Sequence, residues 1–179
     1  IEYVDEGGRP VFNELSWMID EEKYDKNGNC IEEAFLDERG SPCLSNEGSA
    51  KYARRYDELG NIAEEAYFGI DGNPVLLSGG YAKCLLAYDK RGFCTEYACY
   101  GTDGKPVLGK NGYAKQTGVY DERGNVIETS EYGVDGKPIL DKNGIARWTN
   151  KYDARGNCTD YAYYGTDGKP AVRKDGSAT

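Results

Sequence analysis

The chain has 179 residues, with 22 Lys and Arg against 31 Asp and Glu, for a formal net charge of −9 at pH 7. Such an acidic surface repels phosphate backbones and anionic lipid alike. No apolar run reaches the roughly 20 residues that span a bilayer, so neither a nucleic-acid partner nor membrane insertion is expected. There is no His, while Tyr supplies 16 residues and Gly 24, a composition that excludes imidazole catalysis and reads as turn-rich β structure.

The chain opens on Ile1 rather than Met, which leads us to expect an excerpt of a longer polypeptide. Gly8, Pro10 and Phe12 stand 32 residues before Gly40, Pro42 and Leu44, so even this opening keeps the phase of the later copies. Tyr-Asp then recurs at Tyr24-Asp25, Tyr56-Asp57, Tyr88-Asp89, Tyr120-Asp121 and Tyr152-Asp153, always 32 residues apart. Each Asp is followed three residues later by Gly28, Gly60, Gly92, Gly124 or Gly156. Further along each copy, Gly40, Gly72, Gly104, Gly136 and Gly168 each stand two residues before a Pro. A third series, Gly48, Gly80, Gly112, Gly144 and Gly176, is shadowed by Ala50, Ala82, Ala114, Ala146 and Ala178.

Each unit therefore reads as strand, tight turn, strand, longer turn. In the copy from Tyr113 to Gly144, Tyr113–Tyr120 is extended and Asp121–Asn125 is the hairpin turn. Its Asp can hold the turn backbone, and its Gly can supply positive φ. Val126–Tyr132 is the return strand, Asp135–Pro138 a second turn, and Ile139-Leu140 a short further strand.

Period-two alternation separates two faces. The odd positions of the return strand are uniform between copies: Cys30, Ile62, Cys94, Val126 and Cys158, then Glu32, Glu64, Glu96, Glu128 and Asp160, then a small residue, then Leu36, Phe68, Tyr100, Tyr132 and Tyr164. This uniform face is expected to be the packed one. Its acids would accept hydrogen bonds from Tyr hydroxyls or backbone amides, with a ladder binding cations or sugar hydroxyls as the alternative. The even positions drift through Phe35, Tyr67, Cys99, Glu131 and Tyr163. Tyr52, Cys84, Gln116 and Trp148 vary likewise, as do Ser49, Tyr81, Tyr113 and Ile145. Lys51, Lys83, Lys115 and Arg147 are assigned to this variable face as a solvated edge.

No set of unique residues suggests catalysis, because the carboxylates recur equivalently in every copy; no enzyme activity, cofactor or metal site is expected. Asp25–Asn29 has the look of a calcium loop, but its Gly is one place early and no Glu closes it, so it reads as a turn. Six Cys have neither zinc nor redox spacing. Cys30, Cys94 and Cys158 exchange with Ile62 and Val126 and behave as small buried hydrophobes, while alternation would point Cys84 and Cys99 to opposite faces. Asn157-Cys158-Thr159 matches a glycosylation acceptor.

At Tyr56-Asp57-Glu58-Leu59-Gly60-Asn61 and Tyr120-Asp121-Glu122-Arg123-Gly124-Asn125 the chain resembles the YD (RHS) repeat family, in which Tyr-Asp-x-x-Gly-Asn opens a hairpin and a later Asp-Gly closes it. Asp71-Gly72, Asp103-Gly104, Asp135-Gly136 and Asp167-Gly168 match that second element. The resemblance implies a spiralling β-sheet in a secreted or cell-surface bacterial protein. The stretch from Asp103 to Gly118 is also similar to choline- and glucan-binding hairpin repeats.

The expectation is an all-β array of tandem 32-residue β-hairpins over residues 1–179. A partial unit covers 1–23, and repeats start near 24, 56, 88, 120 and 152. The units would form an extended sheet or β-solenoid, with a closed ring as the competing geometry. It would be a non-catalytic structural or adhesive segment of a bacterial surface or secreted protein, binding a protein or glycan through Tyr67, Tyr81, Lys83, Tyr113, Lys115, Arg147 and Tyr163. The alternatives are a carbohydrate- or cell-wall-binding module and the shell of a secreted toxin. Self-association through the repeat ends would follow from the same design. The location would be extracellular or at the cell surface, with free thiols leaving a reducing cytoplasm open.

Overall fold

Short runs of β-branched and aromatic residues alternate with Gly-containing turns. The computed structural model, which describes residues 19–173, converts them into ten β-strands with no helix among the described residues. They are β1 (Ile19–Tyr24), β2 (Cys30–Leu36), β3 (Lys51–Tyr56), β4 (Ile62–Phe68), β5 (Lys83–Tyr88), β6 (Cys94–Tyr100), β7 (Lys115–Tyr120), β8 (Val126–Tyr132), β9 (Arg147–Tyr152) and β10 (Cys158–Tyr164). The protein is all-β. Gly8, Pro10 and Phe12 at one end, and Gly176 and Ala178 at the other, lie outside the described residues. No helix among the described residues is long and apolar enough to cross a membrane.

The chain divides into two compact units. One takes in the described residues up to Cys84 together with Gly101–Gly104; the other takes in Leu85–Tyr100 and the described residues from Lys105 onward. In the first, β1 pairs with β2, β2 with β3 and β3 with β4, all antiparallel. In the second, β6 pairs with β7, β7 with β8, β8 with β9 and β9 with β10, again all antiparallel. The boundary between the units falls within β5.

The turns share one construction. In the hairpin loop Asp121–Asn125, the Asp121 N–H donates to the Asn125 carbonyl at 3.0 Å and the Gly124 N–H donates to the Asp121 carbonyl at 3.2 Å. Asp121 Oδ1 accepts from the Arg123 and Asn125 amides, both at 2.9 Å. Gly124 has φ of 88°, a conformation that L side chains disfavour. The register shifts beside this loop, between Val119 and Tyr120, as a bulged hairpin turn requires. The loops Gly133–Lys137 and Asp141–Ile145 repeat both backbone bonds, so one five-residue design serves three times between β7 and β9.

Two boundaries differ from the sequence reading. Ile139-Leu140 forms no strand: Pro138 makes a single bridge to Tyr132, Ile139 donates to the Glu131 carbonyl at 3.0 Å, and the chain then enters the Asp141 loop. β7 begins at Lys115 rather than Tyr113, because the Tyr113 carbonyl closes the preceding loop by accepting from Gly109 at 3.0 Å.

The core also lies elsewhere than expected. Among the most buried residues are Phe35, Tyr67, Cys99 and Glu131, all from the drifting positions of the return strands. On the uniform face only Ala98 and Ser130 are comparably buried. The reason is the segment after each return strand, which lies against the drifting face. Ser45 and Ser49 line a groove together with Phe35 and Tyr52, and Leu77 is buried there. The Ala series sits where this segment meets two strands at once. Ala50 accepts from Phe35 at 2.9 Å and donates to Phe68 at 2.8 Å; Ala146 accepts from Glu131 and donates to Tyr164, both at 2.9 Å. Ala146 is 1% exposed.

Candidate functional site

The register of the hairpins distributes charge between the two faces. Lys51 opposes Phe68 and Arg55 opposes Glu64, while Tyr52 opposes Tyr67 and Arg54 opposes Glu65. The first residue of β3 thus shares a face with the uniform acids. Lys51 and Lys23 both reach Glu32, at 3.2 and 2.5 Å; Lys115 reaches Glu96 at 3.4 Å, Arg147 reaches Glu128 at 3.0 Å and Lys151 reaches Asp160 at 2.7 Å. Arg55 pairs with Glu64. The same cations lie over the aromatic residue that ends each return strand: Lys51 over Phe68, Lys115 over Tyr132 and Arg147 over Tyr164, at 5.2, 5.0 and 3.8 Å from the ring centroids.

The repeated acids are therefore held by Lys and Arg, not by Tyr hydroxyls or amides. The Lys23 hydrogen bond, with the Lys51 bond and the charge of both, holds the Glu32 carboxyl below its usual range. The hydroxyls of the Tyr residues that end β3, β7 and β9 instead donate to backbone. Tyr56 bonds the Cys30 carbonyl at 2.7 Å, Tyr120 the Cys94 carbonyl at 2.8 Å and Tyr152 the Val126 carbonyl at 3.1 Å.

The opposite face carries grooves. In the first unit, about 520 Å³ is enclosed by residues that include Tyr52, Arg54, Glu65, Tyr67, Leu77 and Tyr81. Arg54 stacks over Tyr52 at 4.0 Å and donates from Nε to Glu65 at 2.5 Å. The Tyr67 hydroxyl donates to the other Glu65 oxygen at 2.5 Å, and burial with that bond pushes the Tyr67 phenol well up. Tyr81 meets Tyr67 edge-on at 6.0 Å. This Arg54–Glu65–Tyr67 chain fixes the groove's polar atoms in advance.

Two grooves of the second unit bear on the site. One, of about 560 Å³, is lined by Tyr113, Gln116, Glu131 and Leu140 with Lys110 and Lys142. The other, of about 370 Å³, is lined by Trp148, Asn150, Tyr161, Tyr163 and Arg173 among others. Trp148 and Tyr163 are cross-strand partners, as are Asn150 and Tyr161. The Tyr161 and Tyr163 rings lie 5.5 Å apart, and Arg173 lies 5.7 Å from the Tyr163 centroid.

The expected binding residues therefore separate. Tyr67, Tyr81, Tyr113 and Tyr163 all line grooves. Lys115 and Arg147 stand on the other face in ion pairs, contrary to their assignment to the variable face. Lys83 opens β5 as Lys51 opens β3, with buried Cys84 beside it. Arg54, Glu65, Glu131 and Tyr161 line the grooves without having been singled out by the sequence. Their signal is the even-position drift, which marks the right strands but gives no weight to any one residue.

None of the six cysteines forms a disulfide. Cys84 and Cys99 are buried. Cys158 is exposed, unlike the buried hydrophobe expected of it. Glu22, Cys30 and Glu33 bring potential ligand atoms within 4.8 Å of one another. Burial and the two carboxylates push the Cys30 thiol up.

No family model matches the chain, and no curated protein matches it.

Proposed function

We propose that this chain is a non-catalytic array of 32-residue β-hairpin units, stacked as an extended sheet or β-solenoid, that binds a protein or glycan partner through its groove-bearing face. On this reading it is a segment of a larger bacterial surface or secreted protein, akin to the YD repeat family. The observation that carries the proposal is the recurrence of the groove at corresponding positions 64 and 32 residues apart, with a different lining each time. Tyr52, Gln116 and Trp148 correspond, as do Tyr67, Glu131 and Tyr163, and Ser49, Tyr113 and Ile145. A fixed backbone presenting varied side chains is how repeat proteins build extended recognition surfaces. The opposite face, where each acid already has a cation, offers a ligand little unsatisfied chemistry.

A glycan is favoured locally at the Trp148–Tyr161–Tyr163 groove, where aromatic rings lie beside Asn143 and Asn150; an apolar ring face flanked by amides suits a sugar. Titrating glycan and peptide panels while following Trp and Tyr fluorescence separates the two partner classes. Saturable quenching by sugars that Trp148→Ala abolishes supports a glycan. Response to peptides alone supports a protein partner. Silence toward both panels contradicts the proposal.

A further inference from the structure

In β8, at the place held by Phe35, Tyr67, Cys99 and Tyr163 in the corresponding strands, the chain has Glu131. Its backbone is satisfied on both sides, donating to Ala146 at 2.9 Å and accepting from Ile139 at 3.0 Å. Its side chain is not. Gln116 Nε2 donates to Oε1 at 3.2 Å, while Oε2 is sealed from solvent and has no hydrogen-bond partner. The residue is 5% exposed. Rings and a thiol fill this position elsewhere, so the sheet itself does not require a carboxyl. A buried acceptor without a donor is rare in folded proteins and points to a missing group.

The groove around Glu131 defines what that group could be. Asp141 spends its carboxylate on its own loop, accepting from the Asn143 amide, the Asn143 side chain and the Ile145 amide at 2.8–2.9 Å. Burial raises the Glu131 carboxyl to about 7, and the Asp141 charge adds to the shift. Lys110 and Lys142 are exposed on the rim. Leu140 and Tyr113 supply apolar wall beside the carboxyl. One orphan oxygen, a second negative charge nearby and an apolar wall favour a compact cation on an aliphatic stem over a planar fork that needs two acceptors.

We propose that this groove receives a primary ammonium on an alkyl stem, the lysine side chain of a protein partner, with the Glu131 side chain turning out of its sealed position so that Oε2 accepts its hydrogen bond. The proposal rests on the reading of this face as the binding face and names the partner's chemistry at one groove.

The test titrates N-acetyl-lysine N-methylamide, with the norleucine analogue as the uncharged control, while recording NMR spectra that include the Glu131 side-chain carboxyl. The lysine probe should shift the resonances of Glu131, Tyr113 and Gln116, and at saturation lower the carboxyl's titration midpoint by a unit or more. The norleucine probe should do neither. Glu131→Gln keeps the shape of the side chain and should weaken the lysine probe at least tenfold while preserving a folded spectrum. Lysine that moves none of these resonances, equal shifts from both probes, or full affinity in E131Q would each overturn the proposal. The wild-type carboxyl titration decides the matter even if the variant folds poorly. A panel ligand that perturbs the other grooves while lysine leaves this one unmoved would sink this site and leave the binding-face reading standing.

Discussion

Gly60 and Gly124 hold the same place in two hairpin loops of this fold, with φ of 84° and 88°, yet a methyl group would meet different surroundings at each. Nothing lies within 4 Å of a Cβ built on Gly60, whereas one on Gly124 would fall 2.4 Å from the Phe93 ring. Gly60→Ala should therefore cost only the backbone strain, about 1–2 kcal/mol. Gly124→Ala should cost measurably more in the same urea titration, because the ring, stacked on Tyr120 at 5.0 Å, must also move. Glu131 makes a residue-scale prediction in pH. Its carboxyl titrates at 4.5 in an open chain and near 7 when folded. Below 4.5 both states hold the proton and its full stabilising effect is present. Between 4.5 and 7 the unfolded chain ionises first, so stability falls as pH rises, by on the order of 3 kcal/mol in all. E131Q should flatten that slope. The turn aspartates act oppositely: Asp57 and Asp121, held low chiefly by the Asn side chains and amides of their own loops, lose their contribution only in acid.

At the scale of elements, bonds between neighbouring hairpins divide into strong and weak. The Tyr120 hydroxyl reaches back to the Cys94 carbonyl, and Tyr120→Phe should cost roughly 1 kcal/mol, as loss of a part-buried hydrogen bond does. Lys115→Met removes an ion pair with Glu96, in which both side chains are more than a third exposed, and should cost less than about 1 kcal/mol. Ala146 is the sensitive point. It bonds two strands at once inside a sealed space, so Ala146→Leu should destabilise by about 1–3 kcal/mol through overpacking, visible as a lowered denaturation midpoint.

For the whole molecule, the strands and turns are legible in the sequence because their signals are local: an Asp opening a loop, a Gly at its fourth place, and alternating apolar residues between. The assignment of faces is not. Alternation shows which residues of one strand share a side, but the bulge beside each turn decides which side of the partner strand joins them. That is why Lys115 and Arg147 stand on the face opposite to the one alternation suggests. Uniformity between copies suggests burial, yet it marks the ion-pair ladder, while the drifting positions lie under the segment that returns over them. Glu131 resembles drift because nothing in one sequence reveals that its carboxyl is sealed. The functional reading depends above all on the grooved face being the one that meets the partner. Amide and side-chain NMR shifts, mapped with the tightest ligand found in the glycan and peptide panels, test this most directly. Perturbations should cluster at Tyr52, Tyr67, Gln116, Glu131, Trp148 and Tyr163. Perturbations confined to Lys51, Glu96, Lys115, Glu128 and Arg147 would place the partner on the opposite face and contradict it.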